Sequence, residues 1–399
     1  MEGENDMRVV FAVHTYYPAH NGVQAVTQYI AEGIARKHDV SVITEKRKGF
    51  LTEEEHQGVR INRIDVKQKH NRFYGDKKKF YELLEEKQPD ILVCVCTQSW
   101  PFDWTQNRLK RIMCKKILYT HGYTAYMDHY PLLYDLFHMK LRAFLYHLYW
   151  RNYYKKAYKY ISQFDRVIYL SENNAATKYA QRHGLTNGLI MENAVEDAFF
   201  DNSILEEEEH FRKERKIHFI YVANYDDNKN QLELVNLFAE ADIDGSVLTL
   251  IGGKDNDYYQ KVCQKYKEKC VKNPGLKINI LHGLAREQVR QYLENSDVFL
   301  CTSKHEEYPV MLCEAAAKGL AIISTDVGHA TQMQGCIVVN SSDEFKAQMH
   351  RLQGDPELRR SLGVQLRQYA EQHCRIEEKV KQFENILCEI TQSEKTYVK

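Results

Sequence analysis

Two glutamates, Glu306 and Glu314, stand eight positions apart across what the sequence marks as the start of a helix. Pro309 suits a first helical position, where its missing N–H costs nothing. Gly319 suits the stop, with Lys318 in the last turn. The spacing therefore predicts a helix from about Pro309 to Lys318. Tyr308, just before it, is a poor capping residue, so the N–H groups of Val310 and Met311 are left without an obvious side-chain partner. Free N–H groups at the positive end of a helix favour phosphate. A carboxylate accepts two hydrogen bonds in a fork, which matches neighbouring hydroxyls on a sugar or ribose. The pattern points to a phosphate joined to hydroxylated rings. The plain alternative is a solvated Glu306 and Glu307 with a surface Glu314. Against it, Ala315, Ala316 and Ala317 surround Glu314 with small apolar residues and predict a partly buried face.

This segment lies between two predicted strands, Val298 to Thr302 and Ala321 to Thr325, and ligands of open parallel sheets bind outside the carboxyl ends of strands. The same pattern of elements fills the chain. In the N-terminal half, strands are expected at Arg8 to His14, Val40 to Thr44, Asp90 to Cys96, Ile117 to Thr120 and Arg166 to Leu170, with a helix from about Val23 to Lys37. Residues Asp201 to Lys216 break the pattern with four glutamates and then a basic cluster, as an exposed connection would. Strands resume at Ile217 to Ala223, Val247 to Ile251 and Ile278 to Leu281. Beyond Ser342 only helices are expected, the last from Arg375 to Leu387. Strands alternating with helices predict an α/β protein of two doubly wound domains facing each other across a cleft.

The 399 residues suffice for two cores, and 43% are hydrophobic. Lys+Arg and Asp+Glu are 55 each, which argues against nucleic acid as the main partner. No apolar run approaches the roughly 18 residues of a membrane-spanning helix. Met1 to Asp6 is acidic and polar, unlike a secretory signal. The ten cysteines contain no C-x-x-C pair. Cys94 and Cys96 are expected on one face of a strand, and all are read as reduced thiols of a cytoplasmic protein. No His, Cys and carboxylate cluster has metal-ligand spacing, so no metal is expected. Asp255-Asn256-Asp257 has the form of a metal-binding Asp-x-Asp signature, but reads as a polar turn.

The run from Glu306 to Ala315, with the Ala-x-x-Gly-Leu-Ala-Ile-Ile that follows, resembles the Glu-x7-Glu motif of retaining glycosyltransferases of family four. The resemblance extends over about residues 7 to 390. It implies the GT-B fold: a Rossmann-like acceptor domain over 7–200, a Rossmann-like nucleotide-sugar domain over 214–374, and a C-terminal helix near 375–390 returning to the first. It implies a metal-independent, retaining hexosyltransferase that needs no cofactor. The donor would be a nucleotide-diphosphate sugar, with UDP favoured over GDP. The acceptor would be a saccharide or lipid-linked hydroxyl in polysaccharide or glycolipid assembly. Another enzyme on the same fold, an epimerase or phosphorylase, is the alternative, as is a non-catalytic nucleotide-sugar-binding partner.

The resemblance also carries roles onto particular residues. Glu306 would act at the donor sugar, and His121 at the donor sugar or the diphosphate. Glu307, Tyr308, Val310 and Met311 would lie beside sugar and phosphates, and Glu314 would hold the ribose. Gly22 matches the second of two loop glycines, while Asn21 replaces the first. Gly252, Gly283 and Leu284 fit strand-end turns near the base, where backbone contacts do not distinguish uracil from guanine. Lys229 matches a diphosphate-holding lysine, whereas Asn224 stands where an arginine is expected. Met191-Glu192-Asn193-Ala194-Val195 marks the close of the first domain. His329 and Gln332 depart from the family's Gly-Gly-x-x-Glu segment.

Two stretches combine cations with aromatics: Lys67 to Lys79, and the helical Leu136 to Tyr160. Such a helix can lie peripherally on the inner face of a membrane. Equally, its aromatics could cover the core and its cations form the wet face.

Overall fold

The computed structural model describes residues 6–18, 22–123, 132–172, 174–201 and 216–392. Two compact units emerge, Met1–Asn193 with Ile376–Lys399, and Ala194–Arg375. The expected connection at 201–216 lies almost wholly outside the described residues, as does Asn21. No helix among the described residues is long and apolar enough to cross a membrane.

The first unit begins with β1 (Arg8–Ala12), α1 (Gly22–Ile34), β2 (Asp39–Glu45), β3 (Glu53–His56) and β4 (Val59–Ile64). A separate hairpin, β5 (Val66–Lys69) and β6 (Arg72–Gly75), leads to α2 (Lys77–Lys87). Then come β7 (Ile91–Val95), α3 (Trp100–Thr105), β8 (Lys115–Tyr119), α4 (Leu132–Phe137), α5 (Leu141–Ile161), β9 (Arg166–Tyr169), α6 (Ala175–Arg182) and β10 (Gly188–Ile190). The sheet order is β10-β9-β8-β7-β1-β2-β4-β3, parallel except for the β3–β4 pair. Its central strands are buried on both faces, so they read as unbroken apolar runs such as Ile91–Val95.

Two expectations need correction here. Cys96 is not on the strand with Cys94: β7 ends at Val95, and Cys96 turns away with a φ of 66°. The helix expected over Leu136 to Tyr160 is two helices, α4 and α5, broken at His138–Lys140.

The second unit holds β11 (His218–Val222), α7 (Gln231–Ala241), β12 (Val247–Gly252), α8 (Asp257–Lys272), β13 (Ile278–His282) and α9 (Arg286–Glu294). It continues with β14 (Val298–Cys301), α10 (Val310–Ala317), β15 (Ala321–Thr325), β16 (Cys336–Val339), α11 (Ser342–Gly354) and α12 (Pro356–His373). All six strands are parallel, in the order β13-β12-β11-β14-β15-β16. The winding reverses between β11 and β14, which puts the ligand-binding switch point at their carboxyl ends. The last helix, α13 (Ile376–Gln392), belongs to the first unit, where Phe383 stacks on Phe11 and Lys37 pairs with Glu384.

Asp255-Asn256-Asp257 turns out to be a helix start. The Asn256 side chain accepts from Tyr259 N at 2.9 Å, capping α8, and donates to the Tyr225 carbonyl.

Helix α10 is held from behind by α12. Gly363 of α12 lies flat against the Gly319 carbonyl, where the chain leaves α10 with a φ of 69°. A side chain at 363 would strike that backbone oxygen. Gly363→Ala should destabilise the second unit by about 1–3 kcal/mol, the usual cost of overpacking, and lower its thermal midpoint. An unchanged midpoint would mean that the two helices can part freely.

Candidate active site

The loops after β11 and β14 are joined at the switch point by backbone-directed hydrogen bonds. Asn228 Nδ2 donates to the His305 carbonyl at 2.8 Å, and Asn228 Oδ1 accepts from His305 N at 3.1 Å. Lys304 N donates to the Asn228 carbonyl at 2.7 Å. This clamp holds Glu306 against the β11 loop. There its carboxylate pairs with the Lys229 ammonium and accepts from Ser303 Oγ at 2.7 Å. Ser303 Oγ lies 2.8 Å from the hydroxyl of Tyr221, which donates to the Lys229 carbonyl. Burial raises the Tyr221 phenol well above its ordinary pKa, so it stays a neutral donor.

Helix α10 starts next to this carboxylate. Pro309 is its cap rather than its first helical residue, and it offers no side-chain hydrogen bond. Val310 and Met311, half-buried, therefore present the uncapped end. Further along the helix, Glu314 is not a surface residue. It is 4% exposed and paired with Arg286 at the start of α9. Arg286 also reaches Glu196 Oε1 at 3.2 Å and stacks over Phe199. A buried carboxylate requires such a partner.

The turn at Tyr308 is fixed by aromatic stacking. The Tyr308 and His329 rings lie 3.8 Å apart at 7°, and His329 Nε2 is 3.3 Å from Cys313 Sγ. Gly328, with a φ of 56°, brings His329 there and leaves no room for a Cβ beside Pro309. Glu307 is half-buried beside Tyr308.

The glycine turns border the same edge. Gly252 belongs to β12, one residue beyond the expected strand end, and its carbonyl accepts from Gly283 N at 3.1 Å. Gly283 has a φ of 67°, with Leu284 following. Gly253 makes room for the exposed Asn224, whose Oδ1 would lie 2.6 Å from a Cβ there.

In the first unit, His121 sits just past β8 with a φ of 48°, stacked on Tyr119 at 4.1 Å. Its Nε2 is buried with no hydrogen-bond partner among the described residues, and burial lowers its pKa, so the ring is neutral. Gly22 opens α1 on the surface, with open space around it. Asn193 closes the first unit and Ala194 opens the second.

The second unit thus brings Lys229, Glu306, Val310, Met311 and Glu314 to one strand edge. Sequence reasoning did not find Asn228, Ser303, Tyr221 or Arg286. Arg286 was within reach: a glutamate on a buried helix face demands a cation, and Arg286 follows directly on the Gly283 turn.

Solved structures share the fold along nearly the whole chain. Sucrose-phosphate synthase from Thermosynechococcus elongatus superposes with a TM-score of 0.74, at 14% identity over 97% of this chain and 100% of that one. HepE of Anabaena, in complex with UDP-glucose, gives 0.73 at 13% identity over 96% and 100%. WaaG, a glycosyltransferase involved in lipopolysaccharide biosynthesis, gives 0.68 at 16% over 95% and 99%. The fold is therefore GT-B, built from two Rossmann-like units.

Two family models match: Glycosyltransferase Family 4 over residues 20–190, and Glycosyl transferases group 1 over residues 203–369. A curated relative, N-acetyl-alpha-D-glucosaminyl L-malate synthase of Bacillus anthracis, is 27% identical over 185 residues, which is 44% of this chain and 46% of that protein. The match thus spans about half of that relative's length. The chain belongs to the family-four glycosyltransferases.

Burial holds the His329 imidazole far below its ordinary range, at about 3 against 6.5 when unfolded. Between those values the unfolded chain binds a proton that the folded chain does not. This histidine's contribution is complete above pH 6.5 and is lost as pH falls towards 3, by up to about 1.4 kcal/mol per pH unit. Thermal melts from pH 7.5 to 4.5 should fall less steeply in His329→Gln than in the wild type. Parallel curves would mean that His329 does not resist protonation.

Proposed function

We propose that this protein transfers a hexosyl residue from a nucleotide-diphosphate sugar, a UDP-sugar before a GDP-sugar, to a hydroxyl acceptor with retention of anomeric configuration. One observation carries the reading: the Glu306 carboxylate, set by Lys229 and Ser303, lies next to the uncapped end of α10, and the buried Glu314 lies further along the same helix. The spacing suits a sugar, a diphosphate and a ribose in sequence. Support also comes from family membership and from a GT-B neighbour whose structure was solved with UDP-glucose.

In this reading Glu306 accepts hydrogen bonds from donor-sugar hydroxyls, with Glu307 and Tyr308 alongside. Glu314 accepts from the ribose hydroxyls. The backbone around Gly252, Gly283 and Leu284 borders the base. His121, neutral and with an unpartnered Nε2, is suited to accept from a sugar hydroxyl. When the bond from the anomeric carbon to the diphosphate oxygen breaks, its electron pair stays on the diphosphate. The growing charge meets the Lys229 ammonium and the N–H groups of Val310 and Met311. The acceptor oxygen bonds to the same face of the anomeric carbon, and its proton passes to the departing phosphate. No protein nucleophile is required.

Lys229 pairs with Glu306, and in this reading it also faces the donor diphosphate. Asn224 supplies only neutral hydrogen bonds where the family pattern has an arginine, which leaves more of the diphosphate charge to Lys229 and the helix end. The ten cysteines are thiols rather than disulfides, which suits a cytoplasmic enzyme. Acceptors in polysaccharide or glycolipid assembly fit the family.

A thermal-shift screen across nucleotide sugars should single out one base, because binding stabilises the folded state by an amount set by affinity. With that donor, Glu306→Gln should lower transfer by about a hundredfold or more, the scale of losing a group that acts in the transition state, while still folding. Undiminished transfer in this variant would remove Glu306 from the chemistry.

A further inference from the structure

Eight of the fourteen strongly exposed large hydrophobic residues among the described residues lie between Leu133 and Tyr146. They belong to the helical hairpin α4–α5 of the first unit. Leu133 is 71% exposed, Phe137 80%, Met139 89% and Leu141 66%. Scattered apolar residues need no explanation, but a concentration of this kind marks an interaction surface.

The hairpin is not a loose loop. Asp135, itself buried, bonds His147 Nδ1 at 2.6 Å and ties α4 to α5, and its carbonyl accepts from Lys140 N at 2.8 Å across the turn. Tyr154 and Trp150 anchor the inner face of α5 in the core. The aromatics are therefore divided. Some cover the core, and the tip holds its apolar residues out into solvent.

The charge around the tip is one-sided. From Leu132 to Ile161 there are six cations, and the one carboxylate is the buried Asp135. All six cations are exposed. The hairpin β5–β6, which carries Lys69 and Arg72, sits against this helix through a hydrogen bond from Tyr149 to the Asn71 carbonyl at 3.1 Å. In a chain of zero net charge this is a strong local excess. A protein partner's apolar face would not by itself call for unneutralised cations all along the flank. An anionic bilayer takes both, with apolar side chains at the acyl boundary and cations at the headgroups.

We propose that the α4–α5 tip, Leu133 to Tyr146, is a docking wedge for an anionic lipid bilayer, with α5 and the β5–β6 hairpin as its basic flank. The proposal stands on the first unit alone and does not depend on the donor reading.

The test is co-sedimentation of the full chain with phosphatidylcholine vesicles, with or without about 30% phosphatidylglycerol as the anionic lipid. The wild type should sediment only with the anionic vesicles. Lys140→Glu/Arg142→Glu should weaken partitioning by about tenfold or more, as each cation near the surface contributes substantially. Phe137→Ser/Met139→Ser should weaken it comparably, and should also lose any bound fraction that resists high salt. All four side chains are exposed, so the variants should keep wild-type melting curves and nucleotide-induced shifts. If one pair fails to fold, the other decides. Three results would overturn the proposal: wild-type protein left in the supernatant with anionic vesicles, unchanged partitioning in a folded variant, or a lipid-free dimer that Phe137→Ser/Met139→Ser dissociates. The last would make a second copy of this chain the occupant.

Discussion

A buried carboxylate is the constraint around which the second unit is organised. Glu314 sits among alanines on α10, out of water, and a bare charge there would cost several kcal/mol. Arg286 removes that cost, and is itself gripped by Glu196 and Phe199. The pair ties the start of α9 to the middle of α10. Gly363 against Gly319 fixes α10 from the other side. In the reading proposed above, a charge held this firmly is placed for the donor ribose.

The Glu306 loop follows the same logic at lower burial. Its backbone is clamped by Asn228, its carboxylate by Lys229 and Ser303, and its exit by the Tyr308–His329 stack. Each contact reduces the freedom of the loop and so fixes the direction of the Glu306 carboxylate. His329 can fill this role because burial keeps it neutral; a protonated ring would put a charge into a buried site beside Cys313. His329 is one of the positions at which the chain departs from the pattern it resembles. The departures at His329 and Asn224 are local refittings within an unchanged frame.

Much of this was legible in the sequence. Central parallel strands read clearly because both their faces are buried and their residues form unbroken apolar runs. Glu306, Glu314 and Lys229 were singled out from spacing and resemblance, and the fold brings them to one strand edge. The edge was hidden: β3 is Glu53–His56, a charged strand of the kind that blunts a sheet edge, and it carries no apolar alternation. Arg286 and Asn228 were hidden for another reason. Their roles are long-range pairings, Arg286 with Glu314 and Asn228 with His305, and no local pattern marks them. Pro309 shows how fine the boundary is: it is the cap of α10 and not its first residue. The exposed α4–α5 tip was legible as aromatic and basic, but only its packing separates the side chains that face the core from those that face out.

The central claim is that Lys229 and Glu314 hold opposite ends of one nucleoside diphosphate. Calorimetric titration of UDP and GDP into the wild type, Lys229→Met and Glu314→Gln tests it most directly. The account predicts that the better-bound nucleotide loses about tenfold or more in affinity in each variant, as expected when a charge-assisted contact is removed. It also predicts that added salt weakens binding less in Lys229→Met than in the wild type. Wild-type affinity in both folded variants would contradict the account.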